Sequence, residues 1–296
     1  MAVDASATTA VEASSLDREL AGLDALELST APARSRLVRV GSALWPKLAA
    51  IGVGLLVWQV VVWSHWRPDY VLPGPLPVFG ELGNQVGQAS FWHAIGITLQ
   101  RAAIGYALAV LIGSLVGAAV ARVRPLRRAI GSLITGLQTM PSIVWFPLAI
   151  LLFKLGEGAI LFVVVLGAAP SVANGLISGI DHIPPLMLRS GRVLGARGLR
   201  LFRFVILPAA MPGFVGGLKQ GWAFAWRSLM AGELLVIVAN RPSIGARLEF
   251  ARQFSQADTL LALMIVVLVI GILADSVFSF ADRSIRRRWG LIESGD

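Results

Sequence analysis

Long stretches without a charged side chain are the feature that most restricts the fold of this 296-residue chain. Residues 102–121 are twenty consecutive uncharged residues, and the chain as a whole is 56% hydrophobic and only 15% charged. A charged side chain at the centre of a bilayer costs about 2.5–3.5 kcal/mol on insertion scales, so such stretches are typical of segments that lie in lipid. The apolar residues run continuously instead of alternating, which favours membrane-spanning helices over a β-barrel. The sequence therefore predicts an all-α membrane protein.

Six apolar segments have the length of roughly 20 residues that a hydrocarbon core of about 30 Å requires. They cover residues 48–66, 98–121, 129–153, 158–180, 210–238 and 259–281. The connections on one side of the membrane carry 17 basic residues, and those on the other side carry 5. Because the more basic side is normally cytoplasmic, this count places both termini in the cytoplasm. It also accounts for the formal charge of +9 without a nucleic-acid partner.

Composition divides the chain into three parts. Residues 1–44 begin with a polar, acidic stretch that lacks the layout of a signal peptide, and we expect a disordered cytoplasmic tail there. Residues 45–285 hold the spans, and residues 286–296 form a second cytoplasmic tail. Two glycines in the second span, Gly113 and Gly117, are spaced so that another helix can approach closely.

The longest cytoplasmic connection, at about 181–208, is the most informative segment. Pro184 and Pro185 can start a helix, because a proline at the first helical position loses no hydrogen bond. Gly195 and Gly198 permit a bend, and Pro208 is expected to end the segment before the fifth span. The pattern predicts two short helices whose surface carries arginines. A basic helix lying on anionic lipid is the alternative interpretation of the same arginines.

At this point the sequence resembles the permeases of ABC importers. Their cytoplasmic motif is E-A-A, three residues, G, nine residues and I-x-L-P; here Gly195 takes the glycine position, and Leu207 and Pro208 match the final pair. Arg189, Ser190 and Gly191 stand where Glu-Ala-Ala is expected. The resemblance extends over about residues 70–285 and is strongest to the nitrate, sulfonate and taurine branch. It is carried by segments such as YVLPGPLPVF (70–79), TLQRAAIGYALAVLIGSLVG (98–117) and QTMPSIVWFPLAILLFKLGEG (138–158).

The resemblance implies a type I ABC-importer permease fold, with a five-helix core after one N-terminal span in the cytoplasmic (inner) membrane. It implies a complex with two ATPase subunits, a second permease copy, usually as a homodimer, and an extracytoplasmic substrate-binding protein. The imported solute would be a small anion such as an aliphatic sulfonate, taurine or nitrate. The residues that would couple this chain to the ATPase are Arg189, Arg192, Gly195, Ala196, Arg197, Leu207 and Pro208.

The chain lacks the motifs of an enzyme. A P-loop requires a Gly-Lys pair, and none occurs in the sequence. We therefore expect ATP and Mg²⁺ to bind the partner ATPase and no cofactor to bind this chain. Cysteine is absent, and His65, His93 and His182 have no metal-ligand spacing, so no metal site is predicted.

Polar residues inside the spans are candidates for the substrate pathway, because charge facing lipid is expensive. Arg101 is also a candidate for contact with an anionic substrate, since a guanidinium binds oxyanions bidentately. Alternatively, Arg101 extends to the outer interface, Arg227 and Glu233 pair with charges on neighbouring helices, and Lys219 and Asp275 are anchors or packing partners. The pathway candidates are Gln138, Pro141, Ser142, Trp145, Asn174, Arg227 and Glu233.

Three other functions compete with ATP-driven import. An ion-coupled secondary transporter needs coupling carboxylates near the midplane, and the spans offer only Glu233 and Asp275. An intramembrane enzyme needs a catalytic constellation that the sequence lacks. A receptor-like or scaffolding protein leaves the spacing from Gly195 to Pro208 unexplained.

Overall fold

The computed structural model describes residues 36–288, and all regular secondary structure in that range is helical. A short 3₁₀ turn, Ser142–Trp145, precedes the fifth helix. The prediction of an all-α protein is confirmed for this range. In chain order the helices are α1 (Arg36–Trp63), α2 (Pro75–Val86), α3 (Ala89–Arg122), α4 (Arg124–Thr139), α5 (Phe146–Phe153), α6 (Glu157–Asp181), α7 (Pro185–Val193), α8 (Leu199–Leu235), α9 (Ile244–Gln253) and α10 (Ala257–Arg288).

Within the described range, five helices are long and apolar enough to cross a membrane. They are α3, α6, α8, α10 and the Trp45–Trp63 part of α1. The sequence predicted one further span at 129–153, but the structure places a broken pair there: α4 and α5 are bent by 104° relative to each other. The six predicted spans therefore correspond to five unbroken helices and one broken pair.

The ends of the chain differ in part from the predicted boundaries. α1 begins at Arg36, inside the predicted tail of residues 1–44, and α10 continues past residue 285. A helix satisfies its backbone hydrogen bonds internally, so it can extend beyond the apolar segment that crosses the lipid. The predicted disorder of residues 1–35 and the rest of the C-terminal tail lie outside the described residues. Contacts divide the chain after Val61, so all of α1 except its last two residues belongs to the first unit.

α6 is the central helix of the second unit, which starts at Val62. More than half of its most apolar stretch is buried, a larger share than in any other described span. On one side it packs against α3. A Cβ added to Gly113 would lie 2.5 Å from the carbonyl oxygen of Ala169, and one added to Gly117 would lie 2.9 Å from that of Ala173. The predicted close approach at these two glycines is confirmed.

On its other side α6 packs against α8 through a second set of glycines. A Cβ added to Gly175 would lie 2.4 Å from the Cα atom of Gly217, and one added to Gly213 would lie 2.5 Å from the Cα atom of Gly179. The two backbones are thus in direct contact, which no larger residue would permit. The sequence contains a signal for this contact that the prediction did not use: Gly175 and Gly179, like Gly213 and Gly217, have the same spacing of four residues as Gly113 and Gly117.

Helices α2 and α9 lie on the face opposite the 181–208 segment. α8 leaves that segment, crosses the layer of spans and ends at Leu235, and α9 follows before α10 begins. α9 is held by a buried apolar cluster of Phe91, Ile244, Leu248 and Leu263, which joins it to α3 and α10. The two ends of the spans therefore carry different short helices: α7 on one face, α2 and α9 on the other.

Candidate coupling and translocation sites

α7 ends in a turn that requires a glycine. The N–H of Gly195 donates to the carbonyl of Arg192, and the N–H of Ala196 donates to the carbonyl of Gly191, both at 3.0 Å. This pair of bonds is a Schellman motif, and Gly195 at its centre has a φ of +84°. Residues with a Cβ disfavour that left-handed conformation. The local backbone conformation therefore favours a glycine at this position of the predicted motif.

The helix after this turn differs from the prediction. Pro208 was expected to end the segment, but the helix continues unbroken from Leu199 to Leu235, with Leu207 and Pro208 inside it. A π turn at Phe202–Ile206 comes directly before them. A proline cannot donate to the carbonyl four residues earlier, and the change of hydrogen-bond register in the π turn accommodates this loss. The part of the 181–208 segment from Leu199 onward and the fifth predicted span are thus one helix, whereas α7 is separate.

The tip of the segment presents apolar and basic side chains together. Of the predicted coupling residues, Arg189, Arg192 and Arg197 are exposed, and Ala196 is half-buried. Val193 and Leu194, at the turn, are 87% and 86% exposed. Adjacent exposed apolar side chains mark contact surfaces for other molecules. The sequence indicated the arginines as candidates but not these two apolar residues, although they directly precede the motif glycine.

Gly191 accounts for one departure from the family motif. It is buried where α7 packs against the start of α8, and an added Cβ would lie 2.9 Å from Cγ2 of Val205 and 3.1 Å from Cδ1 of Leu201. The position has room only for a small residue, which the alanine of the motif and this glycine both satisfy. Arg189 and Ser190 are exposed, so the packing does not restrict their size.

The break between α4 and α5 creates the second candidate site. Met140 and Pro141 are extended, with ψ of 126° and 125°, and the chain then enters the 3₁₀ turn. Because Pro141 has no N–H, it cannot continue the hydrogen-bond ladder of α4. The bend that the sequence predicted at Pro141 is confirmed.

A cavity of about 240 Å³ lies beside this break. Both sides of the break, α6 and α8 contribute to its wall. It brings together four of the seven predicted pathway residues: Gln138, Pro141, Ser142 and Arg227. The other lining residues are Leu137, Thr139, Met140, Ile143, Gly167 and Phe224.

Arg227 gives this cavity its positive charge. Its guanidinium lies 5.2 Å from the ring centroid of Phe224 and forms no ion pair with any described residue. It also lines a larger apolar groove of about 680 Å³ between α8 and α10. Next to it, the buried hydroxyl of Ser228 has no hydrogen-bond partner among the described residues and lies close to Gly167. Ser228 was not among the predicted residues, and its buried position gives no signal in the sequence.

The remaining polar candidates are held away from the cavity. Asn174 donates to Oε1 of Gln138 at 3.4 Å, and Gln138 in turn donates to Oγ of Ser171 at 3.0 Å. Asn174 thus reaches the site only through Gln138. Trp145 packs against the apolar core and does not line the cavity.

Glu233 and Arg101 are bound to each other. Nη1 of Arg101 lies 2.9 Å from Oε1 of Glu233, and its Nε and Nη2 atoms donate to the two oxygens of Glu157 at 2.8 and 2.7 Å. Arg101 is only 2% exposed and Glu233 is fully buried. Arg101 therefore neither extends to the interface nor faces the cavity, and the alternative that Glu233 pairs with a neighbouring helix is the one the structure shows.

Other charged groups also have protein partners. Lys219 donates to Ser279 at 2.7 Å and lies 3.5 Å from Asp275, in agreement with their expected role as packing partners. On α9, hydrogen bonds from Arg252 lower the pKa of Glu249 to about 2, and burial lowers the pKa of Arg247. Among residues 36–288, no group of three or more potential metal ligands is present.

The sequence of this chain is similar to those of known membrane transport proteins. The model of the family described as "Binding-protein-dependent transport system inner membrane component" matches residues 79–287. The taurine transport system permease protein TauC of Escherichia coli is 28% identical over 233 residues, which are 77% of this chain and 84% of that protein. The bicarbonate transport system permease protein CmpB of Synechococcus elongatus is 27% identical over 252 residues, 81% of this chain and 88% of that protein.

A solved structure has the same fold. The inward-facing MetNI methionine ABC transporter contains a chain that superposes with a TM-score of 0.57 at 18% sequence identity. The superposition covers 67% of this chain and 99% of that chain. At this identity the likeness concerns the arrangement of the helices alone.

Proposed function

The chain belongs to the family of binding-protein-dependent transport system inner membrane components, and from this membership we propose that it is the permease through which an ATP-driven importer passes a small oxyanion. The family match covers most of the chain and includes the 181–208 segment, the broken pair and the cavity. The solute class and the partners go beyond the match and rest on the contacts of individual residues.

The position of Arg227 is the observation that supports an anionic solute. Within the described spans, Arg101 and Lys219 have carboxylate partners, whereas Arg227 has none and lines a cavity with Gln138 and Ser142. A guanidinium without a carboxylate can bind an oxyanion through two parallel hydrogen bonds. Taurine and bicarbonate, which appear in the names of two relatives, are both small molecules with an anionic oxyacid group. We expect an aliphatic sulfonate, taurine or nitrate for this chain.

The exposed tip of the 181–208 segment supports an ATPase partner. Its apolar residues Val193 and Leu194, flanked by arginines, suit insertion into a groove of another protein. Two ATPase subunits would hold ATP and Mg²⁺ and move the segment as a rigid body. A second permease copy and an extracytoplasmic binding protein would complete the complex, with both termini of this chain in the cytoplasm.

Ion-coupled transport has less support from the geometry. A coupling carboxylate must gain and lose its proton or cation during transport. Glu233 is fully buried against Arg101, and Asp275 lies beside Lys219. The two carboxylates that the sequence analysis considered for this role are therefore already paired.

Transport by the reconstituted complex tests the proposal. The chain, its ATPase and its binding protein would be placed in liposomes, and uptake of labelled taurine, an alkanesulfonate, nitrate and bicarbonate would be measured. We expect one of these anions to accumulate only when ATP and the binding protein are both present. Uptake driven by an ion gradient without ATP would contradict the proposal.

Replacement of Arg227 tests the anion site. Arg227→Ala should lower the initial uptake rate by about tenfold or more, because a charge-assisted hydrogen bond contributes about 1.5–3 kcal/mol. Arg227→Lys keeps the charge without the bidentate geometry, so its initial uptake rate should lie between those of the wild type and Arg227→Ala. Arg283→Ala, at the exposed end of α10 and outside the cavity, is the matched control. Normal uptake by Arg227→Ala with intact assembly would remove Arg227 from the pathway.

A further inference from the structure

A buried polar cluster joins α3, α6 and α8 on the face opposite the 181–208 segment. Arg101 binds Glu157 through two hydrogen bonds and Glu233 through one, and Nε of Arg241 lies 3.5 Å from Oε1 of Glu157. Two arginines and two carboxylates therefore neutralise each other. Arg101 and Glu233 are buried, whereas Glu157 and Arg241 are 33% and 41% exposed. Removing one partner from such a cluster leaves an uncompensated buried charge, so the members constrain one another's positions strongly.

The same cluster binds the first turn of α9. The N–H of Ile244 donates to Oγ1 of Thr98 at 3.0 Å, and the N–H of Gly245 donates to Oε2 of Glu233 at 3.1 Å. Thr98 also donates to Oε2 of Glu233, at 2.9 Å. These first N–H groups have no partner within the helix, and a carboxylate at a helix N-terminus is favoured by the helix dipole. α9 thus begins on side chains that belong to α3 and α8.

The contact between α9 and α8 leaves no room for adjustment. A Cβ added to Gly245 would lie 2.3 Å from Cβ of Glu233 and 3.0 Å from its carbonyl carbon. The backbone of α9 therefore rests directly on the residue whose carboxylate binds it. The side-chain hydroxyl of Ser243 accepts from the N–H of Ala246 at 3.3 Å and completes the N-terminal turn.

Apolar packing alone would not give α9 this fixed position. The cluster of Phe91, Ile244, Leu248 and Leu263 buries one side of α9, but burial of apolar surface is not directional. The hydrogen bonds of Thr98 and Glu233 have defined donors, acceptors and lengths. They fix where α9 begins relative to α3 and α8.

We propose that Thr98, Arg101 and Glu233 form a polar latch that holds α9 and the adjacent ends of α3, α6 and α8 as one rigid unit. The three spans are then fixed together at this end, while the ATPase acts on the 181–208 segment at the other. A pull on that segment tilts the spans as a body and does not separate them. The three residues are positioning residues: they do not touch the solute. The mechanical part of this inference rests on the proposed function, whereas the latch itself rests on the contacts alone.

Hydrogen exchange of the full complex tests the latch. Thr98→Val removes the hydroxyl that bridges Ile244 and Glu233 with little change in shape, and Glu233→Gln removes the buried negative charge. We expect peptides covering α9 to exchange about ten- to a hundred-fold faster in both variants, since a buried hydrogen-bond partner is lost. Glu249→Gln is the matched control, because among the described residues Glu249 of α9 bonds to Arg252 and Gln253 of the same helix and to no other. Wild-type exchange in both Thr98→Val and Glu233→Gln would overturn the latch.

A second measurement tests the positioning role. The number of solute molecules imported per ATP hydrolysed should fall by about threefold or more in Thr98→Val and stay at the wild-type value in Glu249→Gln. A simple loss of folded protein would lower uptake and ATP hydrolysis together and leave this ratio unchanged. Faster exchange of α9 with an unchanged ratio would overturn the mechanical role. If the wild-type complex imports none of the anions tested, the proposed function fails, and the exchange data still decide whether the latch exists.

Discussion

Two arginines of the spans, Arg101 and Arg227, show how partners decide what a charged residue can do. Both are attractive anion-binding residues in the sequence. Arg101 is buried and held by two carboxylates, one of which, Glu233, is 132 positions away in the chain. Arg227 lines a cavity, contacts the ring of Phe224 and forms no ion pair with a described residue. A partner so distant in sequence leaves no local pattern, so only the folded chain distinguishes the two roles.

Gly195 provides a test of the coupling segment at the level of one residue. Gly195→Val should destabilise the turn by about 1–2 kcal/mol, because a β-branched side chain disfavours the left-handed conformation that the φ of +84° requires. We expect the variant to lose most of the co-purified ATPase. Gly195→Asn is the control, since asparagine tolerates this conformation, and it should retain the ATPase. Equal ATPase recovery from both variants would show that the turn does not shape the docking surface.

At the scale of elements, α6, α7 and α8 form a continuous hairpin with little freedom. Glycines bring the backbones of α6 and α8 into contact along one seam, and Gly191 seats α7 against the start of α8. Close-packed interfaces of this kind move as units instead of deforming gradually. The broken pair of α4 and α5 lies beside this hairpin and carries much of the cavity wall. The arrangement suits a rigid hairpin that moves relative to the break.

The packing of this hairpin can be tested with two glycines of α8. Gly213→Ala should lower stability by about 1–3 kcal/mol, because the new Cβ would lie 2.5 Å from the backbone of Gly179. Gly216→Ala, three residues further along, enters open space and should leave stability unchanged or slightly raised. Thermal unfolding of the detergent-solubilised protein measures both. A Gly213→Ala protein as stable as Gly216→Ala would show that α6 and α8 are not in backbone contact.

At the scale of the whole molecule, the unit from Val62 onward has two structurally different ends. The 181–208 segment lies at one end, and the polar latch with α9 lies at the other, joined through α8. The cavity beside Pro141 is bordered by α8 between these ends. We therefore expect a movement applied at the segment to be transmitted along α8 to the cavity, with the latched end held together.

The orientation of these ends relative to the membrane can be measured by labelling single introduced cysteines. The chain itself contains no cysteine that would also be labelled. Val193→Cys and Phe254→Cys place single thiols at residues that are 87% and 70% exposed, on opposite faces. In intact cells a membrane-impermeant maleimide should label position 254 and reach position 193 only after lysis. The reverse pattern would place the 181–208 segment outside the cell and exclude contact with a cytoplasmic ATPase.

The sequence by itself determined that the apolar segments lie in lipid, where along the chain these segments are, that the chain bends at Pro141, and where the motif glycine lies. These depend on local composition and backbone chemistry: runs of apolar residues long enough for a bilayer, a proline without an N–H and a glycine in a left-handed turn. It also indicated the close approach at Gly113 and Gly117, because both lie on one helix at the right spacing.

Only the tertiary structure decided which polar residues meet. It gathered Gln138, Pro141, Ser142 and Arg227 around one cavity, set Trp145 and Asn174 away from it, and joined Glu233 to Arg101 and α9. It also carried the helix through Pro208, where local rules predicted an end. The physical reason is that charges and hydrogen-bonding groups in lipid must find partners wherever the fold brings them, and those partners lie far away in the chain.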